Sequence, residues 1–415
     1  MTILLVTFYA LAAISIYLGV LSLRNGGRFI RYVQEELAKE YAAYEPFVTV
    51  FLPLRGADQD LEKNITALFA QTYANYEVVF VSDDANDFAW GIVEEARRSF
   101  TRESGPTMQI VVAGRAGDRG QKVHNLCVAI EHADSESEIF AFVDSDVQVA
   151  PHWLASLVAP LQDETIGATT GYRWFVPARN NLASHLRSVW NASIASALRD
   201  TEQSNFCWGG STAINRRTFE QSKVLEHWHG ALSDDFAMTR ALRDAGLPIK
   251  FVPLCLTPSY ESCSFGELLE FTTRQLKITR IYAPHLWKAV FLGAVIFVAT
   301  FFGGIALVVT RAALGVSFMT PLILVLIMFA MGAAKSHLRV RVIAAVIGDQ
   351  QANSTALTVA HVTLWPLASA LYLYNAIAAV ASRRIKWRGI DYELKSPNET
   401  VIIESRGPRS EVRGQ

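Results

Sequence analysis

Hydrophobic positions along the chain fall into two patterns. In the first, apolar residues run unbroken over Ile3–Leu23, Ala289–Thr310, Ala312–Ala334 and Ala356–Ala381. Each run is about the ~20 residues or more that a helix needs to cross a bilayer core. In the second pattern, between residues 45 and 285, short apolar runs alternate with segments of helical spacing. Val48–Leu52, Glu77–Val81, Gln109–Ala113 and Ile139–Val143 read as strands. Gln59–Gln71, with Leu61, Ile65, Leu68 and Phe69 on one face, reads as a helix, as do Phe88–Phe100, Lys122–Ala133 and Phe236–Ala245. Ser264 and Glu267 form a capping-box pattern that opens a further helix through Arg280. This alternation predicts an α/β domain with a mostly parallel sheet, whose ligands sit at the carboxyl ends of the strands.

Charge orients these pieces. Arg24, Arg28 and Arg31 follow the first apolar run instead of preceding it, which favours a retained anchor over a secretory signal and puts the next domain on the cytoplasmic face. The expected layout is an anchor over 1–25, a cytoplasmic domain over 45–285, a membrane region over 286–382 and a cytoplasmic tail over 383–415. Basic residues also follow the last two apolar runs, in Lys335–Arg341 and Arg383–Arg388. Three crossings after the domain would leave the second of these clusters outside, so either one run lies in the interface or re-enters, or Val342–Gly348 is part of a further element. Charged residues make up only 19% of the chain, as lipid-buried segments require, and a net charge of −1 offers no basic face for nucleic acid. Cys127, Cys207, Cys255 and Cys263 form no C-x-x-C pair, so they indicate neither a zinc site nor a disulfide framework and fit a reducing compartment. No oligomeric state follows from the sequence.

Three acidic groups fall where ligands are expected. Asp144-Ser145-Asp146 follows the fourth strand. In an extended segment its two carboxylates point the same way and can hold a hard divalent cation, leaving positions for a diphosphate; the competing reading is a polar turn. Asp83 and Asp84 follow the second strand and suit a uracil or ribose, or else cap the next helix. Asp234 and Asp235 open a helix. Adjacent carboxylates repel, which raises one pKa toward that of a general base, although capping explains them equally. Lys122, after Gly117 and Gly120, enters a helix as a phosphate-binding or a solvated lysine. Arg274, Lys277 and Arg280, with Gln275 beside them, form a basic row that grips either a diphosphate or anionic lipid.

In this order the motifs resemble family 2-type inverting glycosyltransferases, ceramide glucosyltransferases in particular, over nearly the whole length. The resemblance implies a nucleotide-sugar-binding, GT-A-like fold with transmembrane helices at both ends. It implies that Asp84, or Asp83, contacts uridine. It makes Asp144 the D-x-D-like residue, with Asp146 as its partner around Mg²⁺ or Mn²⁺. Lys122-Val-His-Asn-Leu matches the family's lysine segment, and Asp235 in Asp234-Asp235-Phe236 matches its base. Trp208-Gly209-Gly210-Ser211 matches the acceptor border, where Asp234 also belongs. Arg274-x-x-Lys277-Ile278 stands where the family usually has R/Q-x-x-R-W, so a planar fork and a stacking ring are missing. Trp387-Arg388-Gly389-Ile390-Asp391-Tyr392 matches a tail feature that is usually cytoplasmic. The implied reaction moves one hexose, glucose from UDP-glucose, to a ceramide-like lipid hydroxyl. A hopanoid, diacylglycerol or polyprenyl phosphate acceptor, a polysaccharide synthase, and an inactive binding module are the alternatives.

Overall fold

The computed structural model describes residues 2–58, 60–100 and 105–405. In chain order it begins with α1 (Thr2–Leu37), β1 (Val48–Pro53), α2 (Leu61–Phe69), β2 (Tyr76–Ser82), α3 (Ala89–Arg98), β3 (Thr107–Val112) and α4 (Gln121–Ile130). Next come β4 (Ile139–Phe142), α5 (Trp153–Val158), β5 (Ala168–Pro177), α6 (Leu182–Ala195), β6 (Thr212–Asn215), α7 (Arg216–Gln221), α8 (Val224–Trp228) and α9 (Asp234–Asp244). The chain continues through β7 (Ile249–Glu261), α10 (Phe265–Tyr282), α11 (Pro284–Ala313), α12 (Met319–Ile347) and α13 (Thr355–Ala381). It closes with β8 (Arg384–Trp387), β9 (Ile390–Ser396) and β10 (Glu399–Ser405).

Two compact units result. One comprises Lys39–Arg173, Thr201–Ser259 and Ser382–Gln415. Its seven-stranded sheet has the order β3-β2-β1-β4-β6-β5-β7. β3, β2, β1 and β4 pair in parallel, and β6 is antiparallel to β4 and to β5. β1, β2 and β4 are buried along their whole length, which is why their sequences are mostly apolar; the buried polar pair Thr49 and Glu77 is satisfied by a hydrogen bond at 2.7 Å. The stretch expected to be a tail forms a second sheet, β10-β9-β8, in this same unit; residues 406–415 of that stretch lie outside the described residues.

The other unit comprises Met1–Ala38, Trp174–Asp200 and Tyr260–Ala381. α1, α11, α12 and α13 are long and apolar enough to cross a membrane. α6 and α10, which the hydropathy pattern assigns to the domain, pack with these helices instead. Trp190 of α6 stacks on Tyr372 of α13 at 4.7 Å, and Thr272 of α10 donates to Asn375 of α13 at 3.2 Å. The capping box at Ser264 and Glu267 is formed as expected.

Candidate functional site

The site assembles at the carboxyl ends of β1, β2 and β4, and the loop before α9 closes against α4. The Gly120 N–H donates to the Ala231 carbonyl at 2.8 Å. A Cβ at Gly120 would lie 2.6 Å from the Leu232 carbonyl oxygen, so glycine is what allows this approach. The contact brings the first turn of α4 to the first turn of α9. Lys122 Nζ consequently reaches Asp144 Oδ1 at 2.6 Å and Asp234 Oδ2 at 3.0 Å. Gly209 lies against this pair. A Cβ there would meet Lys122 Nζ at 2.6 Å and would overlap the Asp234 carboxylate.

Asp235 sits beside Asp234 in the first turn of α9. One of its oxygens accepts from the Ser233 hydroxyl and, at 2.7 Å, from the Phe236 N–H. Burial, and then the charge of Asp234, push its carboxyl up to about 6, against the pull of these donors and of Lys122. Burial works against the Lys122 ammonium, but Asp144 and Asp234 outweigh it and hold its pKa above the ordinary lysine value. Burial raises the Asp144 carboxyl, opposed by Lys122. Burial works against the Asp146 carboxylate, but Arg173 and Arg388 outweigh it and hold its pKa below the ordinary value.

The D-x-D segment is not extended. It turns, with the Val147 N–H donating to the Asp144 carbonyl at 3.2 Å, and the two carboxylates meet different cations. Asp146 takes Arg173 Nη2 at 2.9 and 3.0 Å. Arg173 in turn lies 5.2 Å from the centre of the Trp208 ring. Gly210 abuts that same ring. Among the described residues, no three His, Cys, Asp or Glu side chains are grouped to hold a metal by themselves. Asp144 and Asp146 fit an oxygen-ligated divalent cation only when a diphosphate supplies further oxygens, which is the usual arrangement for Mg²⁺.

Asp83 and Asp84 separate. Asp84 is exposed and accepts from the Asn86 N–H at 2.9 Å, a local turn of its own. Asp83 faces the strand ends and accepts from Arg55 Nη1 at 2.5 Å. Arg274, Gln275 and Lys277 lie on α10 of the helical unit, so the sheet unit does not gather them. Ile278, standing where the family has tryptophan, is buried at 4% exposure.

Sequence reasoning missed four residues around these acids: Arg55, Asp58, Arg173 and Arg388. Arg388 and Gly389 make the turn between β8 and β9 with φ of 50° and 79°, the left-handed pair of a tight hairpin. From that turn Arg388 forks onto Asp58 at 2.6 and 2.9 Å. Arg55 Nε donates to the Arg388 carbonyl at 3.0 Å, and Arg388 Nη1 donates to the Arg55 carbonyl at 3.2 Å. Asp58 also accepts from Ser145, between the two D-x-D acids, at 2.5 Å. Tyr392 accepts the Gln121 N–H at 3.2 Å, beside Lys122. The available signals were that Arg55 and Asp58 directly follow the first strand, and that the tail carries a W-R-G pattern.

Comparison with known proteins follows this geometry. Hyaluronan synthases of Streptococcus pyogenes serotypes M3 and M1 are 27% identical to the chain over 204 residues, 45% of this chain and 47% of theirs. The chain thus spans about half the length of the curated relatives it matches. A mannosyltransferase from Pyrobaculum calidifontis, solved with GDP-Man and Mn²⁺, superposes with a TM-score of 0.47 at 20% identity, covering 89% of this chain and 98% of that one. Glucosyl-3-phosphoglycerate synthase from Mycobacterium tuberculosis, solved with Mn²⁺ and UDP-glucose, gives 0.35 at 15% identity, covering 60% and 82%. Identities this low and superpositions this loose bear on neither donor nor acceptor. The parallel strands with acidic ends are GT-A-like, as the sequence predicts. Residues 7–400 match the profile of glycosyl transferase family 21, and a match over that much of the sequence makes the chain a member of that family.

Proposed function

We propose that this glycosyltransferase moves a single hexose, glucose from UDP-glucose, onto the hydroxyl of a membrane lipid such as ceramide, with inversion at the anomeric carbon. The observation that carries this reading is the meeting of Lys122, Asp144 and Asp234 beside Asp235, a carboxylate raised to about 6. A base of that strength is ionised near neutrality yet accepts a proton readily. Asp235 takes the proton of the acceptor hydroxyl as its oxygen attacks the sugar on the face opposite the diphosphate. Lys122, Arg173 and Arg388 supply positive charge around the leaving group. Asp83 is the uridine-side acid, since Asp84 is spent on a local turn. A divalent cation, Mg²⁺ or Mn²⁺, held by Asp144 and Asp146 with the donor, would neutralise charge on the diphosphate.

The lipid acceptor is argued from the four apolar helices. Strands β8–β10 share one compact unit with residues 39–173, so both lie on one side of a bilayer. An even number of crossings then separates residue 259 from residue 382. In this reading α11 and α12 cross, and α13 lies in the interface against α6 and α10, with its end tied by Arg280 to the Ala379 carbonyl at 2.9 Å. The Arg24–Arg31 flank puts the sheet unit on the cytoplasmic face.

Incubation of the purified protein with UDP-[¹⁴C]glucose and ceramide, with chromatography of the lipids, tests the reading. A single β-glucosylated lipid is expected, and an α-linked product would overturn the inverting scheme. The hyaluronan synthase likeness favours a second reading, a polysaccharide synthase. Its signature in the same assay is a ladder of long, lipid-free products.

A further inference from the structure

The helical unit holds a half-open cavity of about 400 Å³ between α1, α6, α11, α12 and α13. Much of its wall is hydrocarbon, from Leu18, Phe297, Met328 and Met331. One end is charged. Lys335 and Arg339, one turn apart on α12, both line it. Arg339 is only 6% exposed. Its Nη1 donates to the Ser196 hydroxyl at 3.3 Å, and its Nε has no hydrogen-bond partner. Lys335 Nζ donates to Ser22 Oγ at 2.7 Å. Among the described residues, neither cation forms an ion pair with a carboxylate.

Two positive charges set in apolar surroundings without a counter-charge are costly, and the cost falls only when an anion joins them. Their depth indicates where that anion comes from. Ser22 lies at the end of the apolar run Ile3–Leu23, two residues before Arg24. A group held at Lys335 and Arg339 therefore lies at the level of lipid head groups. Leu18 and Ser15, also in the wall, stand roughly 6 and 10 Å deeper along α1 at 1.5 Å per residue. A free anion would use the charged end and leave the apolar wall unfilled. Ser369 and Tyr372 add hydroxyls to the lining.

We infer that this cavity binds a lipid with a net anionic phosphate head group, its phosphate between Lys335 and Arg339 and an acyl chain along Leu18, Met331, Met328 and Phe297. The inference stands apart from the transfer reaction proposed above.

The test uses the full chain, delipidated in neutral detergent and titrated with phosphatidylglycerol or phosphatidylcholine under native mass spectrometry. Phosphatidylglycerol should bind at least roughly tenfold more tightly. Equal binding of the two lipids overturns the inference without any variant being made. K335Q/R339Q should abolish the preference, and its persistence in that variant would also overturn it. Leu18→Trp keeps both charges and fills the chain path. It should weaken phosphatidylglycerol binding by about tenfold, and unchanged binding removes the acyl-chain assignment. Inorganic phosphate at the lipid concentration should fail to displace the lipid; efficient displacement would mean that the ligand is a free anion.

Discussion

The candidate site of the sheet unit and the cavity of the helical unit handle interior charge differently. In the sheet unit, Lys122 meets Asp144 and Asp234, Arg173 meets Asp146, and Arg388 meets Asp58, all within 3.0 Å. In the cavity of the helical unit, Lys335 and Arg339 meet serine hydroxyls instead, although Arg187 elsewhere in that unit is paired with Glu261 at 3.1 Å. Charge that is balanced by the protein itself stays put until a ligand competes for it. Charge balanced only by hydroxyls waits for a ligand to neutralise it. The first arrangement suits a site that must hold and then release a diphosphate, and the second suits a resident anion.

The comparison can be broken at its strongest point. Asp235→Asn should lower kcat on the order of 10³-fold, because a general base typically contributes 10²–10⁴, while donor binding by equilibrium dialysis stays near normal. Activity close to wild type would take the base role away from Asp235. Lys122→Met leaves Asp144 and Asp234 facing each other without their shared cation. Removing one partner of a buried pair costs about 3 kcal/mol, so denaturant unfolding should show a loss of that order. Adding Asp144→Asn should recover part of it, since contacting residues do not behave additively. Arg388→Lys keeps the charge but loses the two-pronged grip on Asp58, and donor affinity should fall by roughly tenfold. The smallest effect concerns pH. Asp235 must be ionised to act, so kcat should rise with pH through about 6 and then level. Asp234→Asn removes the second-largest cause of the raised pKa, and the remaining activity should show that limb at lower pH.

The parallel half of the sheet was legible because β1, β2 and β4 are buried along their whole length, so apolar residues dominate them and polar ones are few, such as Thr49 and Glu77. Their carboxyl ends pointed to Asp83 and Asp144 by a general rule of such sheets, and Lys122 was picked out by its glycine-flanked helix entry. The turn at Ser145 was not legible, because a D-x-D pattern fits an extended or a turned backbone equally well. The resemblance put Asp84 ahead of Asp83, and no local pattern showed that the Asn86 N–H captures Asp84 while Asp83 takes Arg55. Arg388 was the largest omission. It pairs with Asp58 across 330 positions of sequence, and no local pattern encodes such a partner. α6 escaped for another reason. Its length and spacing are those of a domain helix, and only packing reveals that its neighbours are α10 and α13.

The hairpin that carries Arg388 also has a consequence for biosynthesis. A ribosome reaches those codons only after α11, α12 and α13 have been made. The nascent sheet must therefore wait, with Asp58 and Arg55 lacking their Arg388 partner, until these long apolar helices have been made. Closure of the acidic cluster around Asp58 is in this way timed to follow synthesis of the apolar helices.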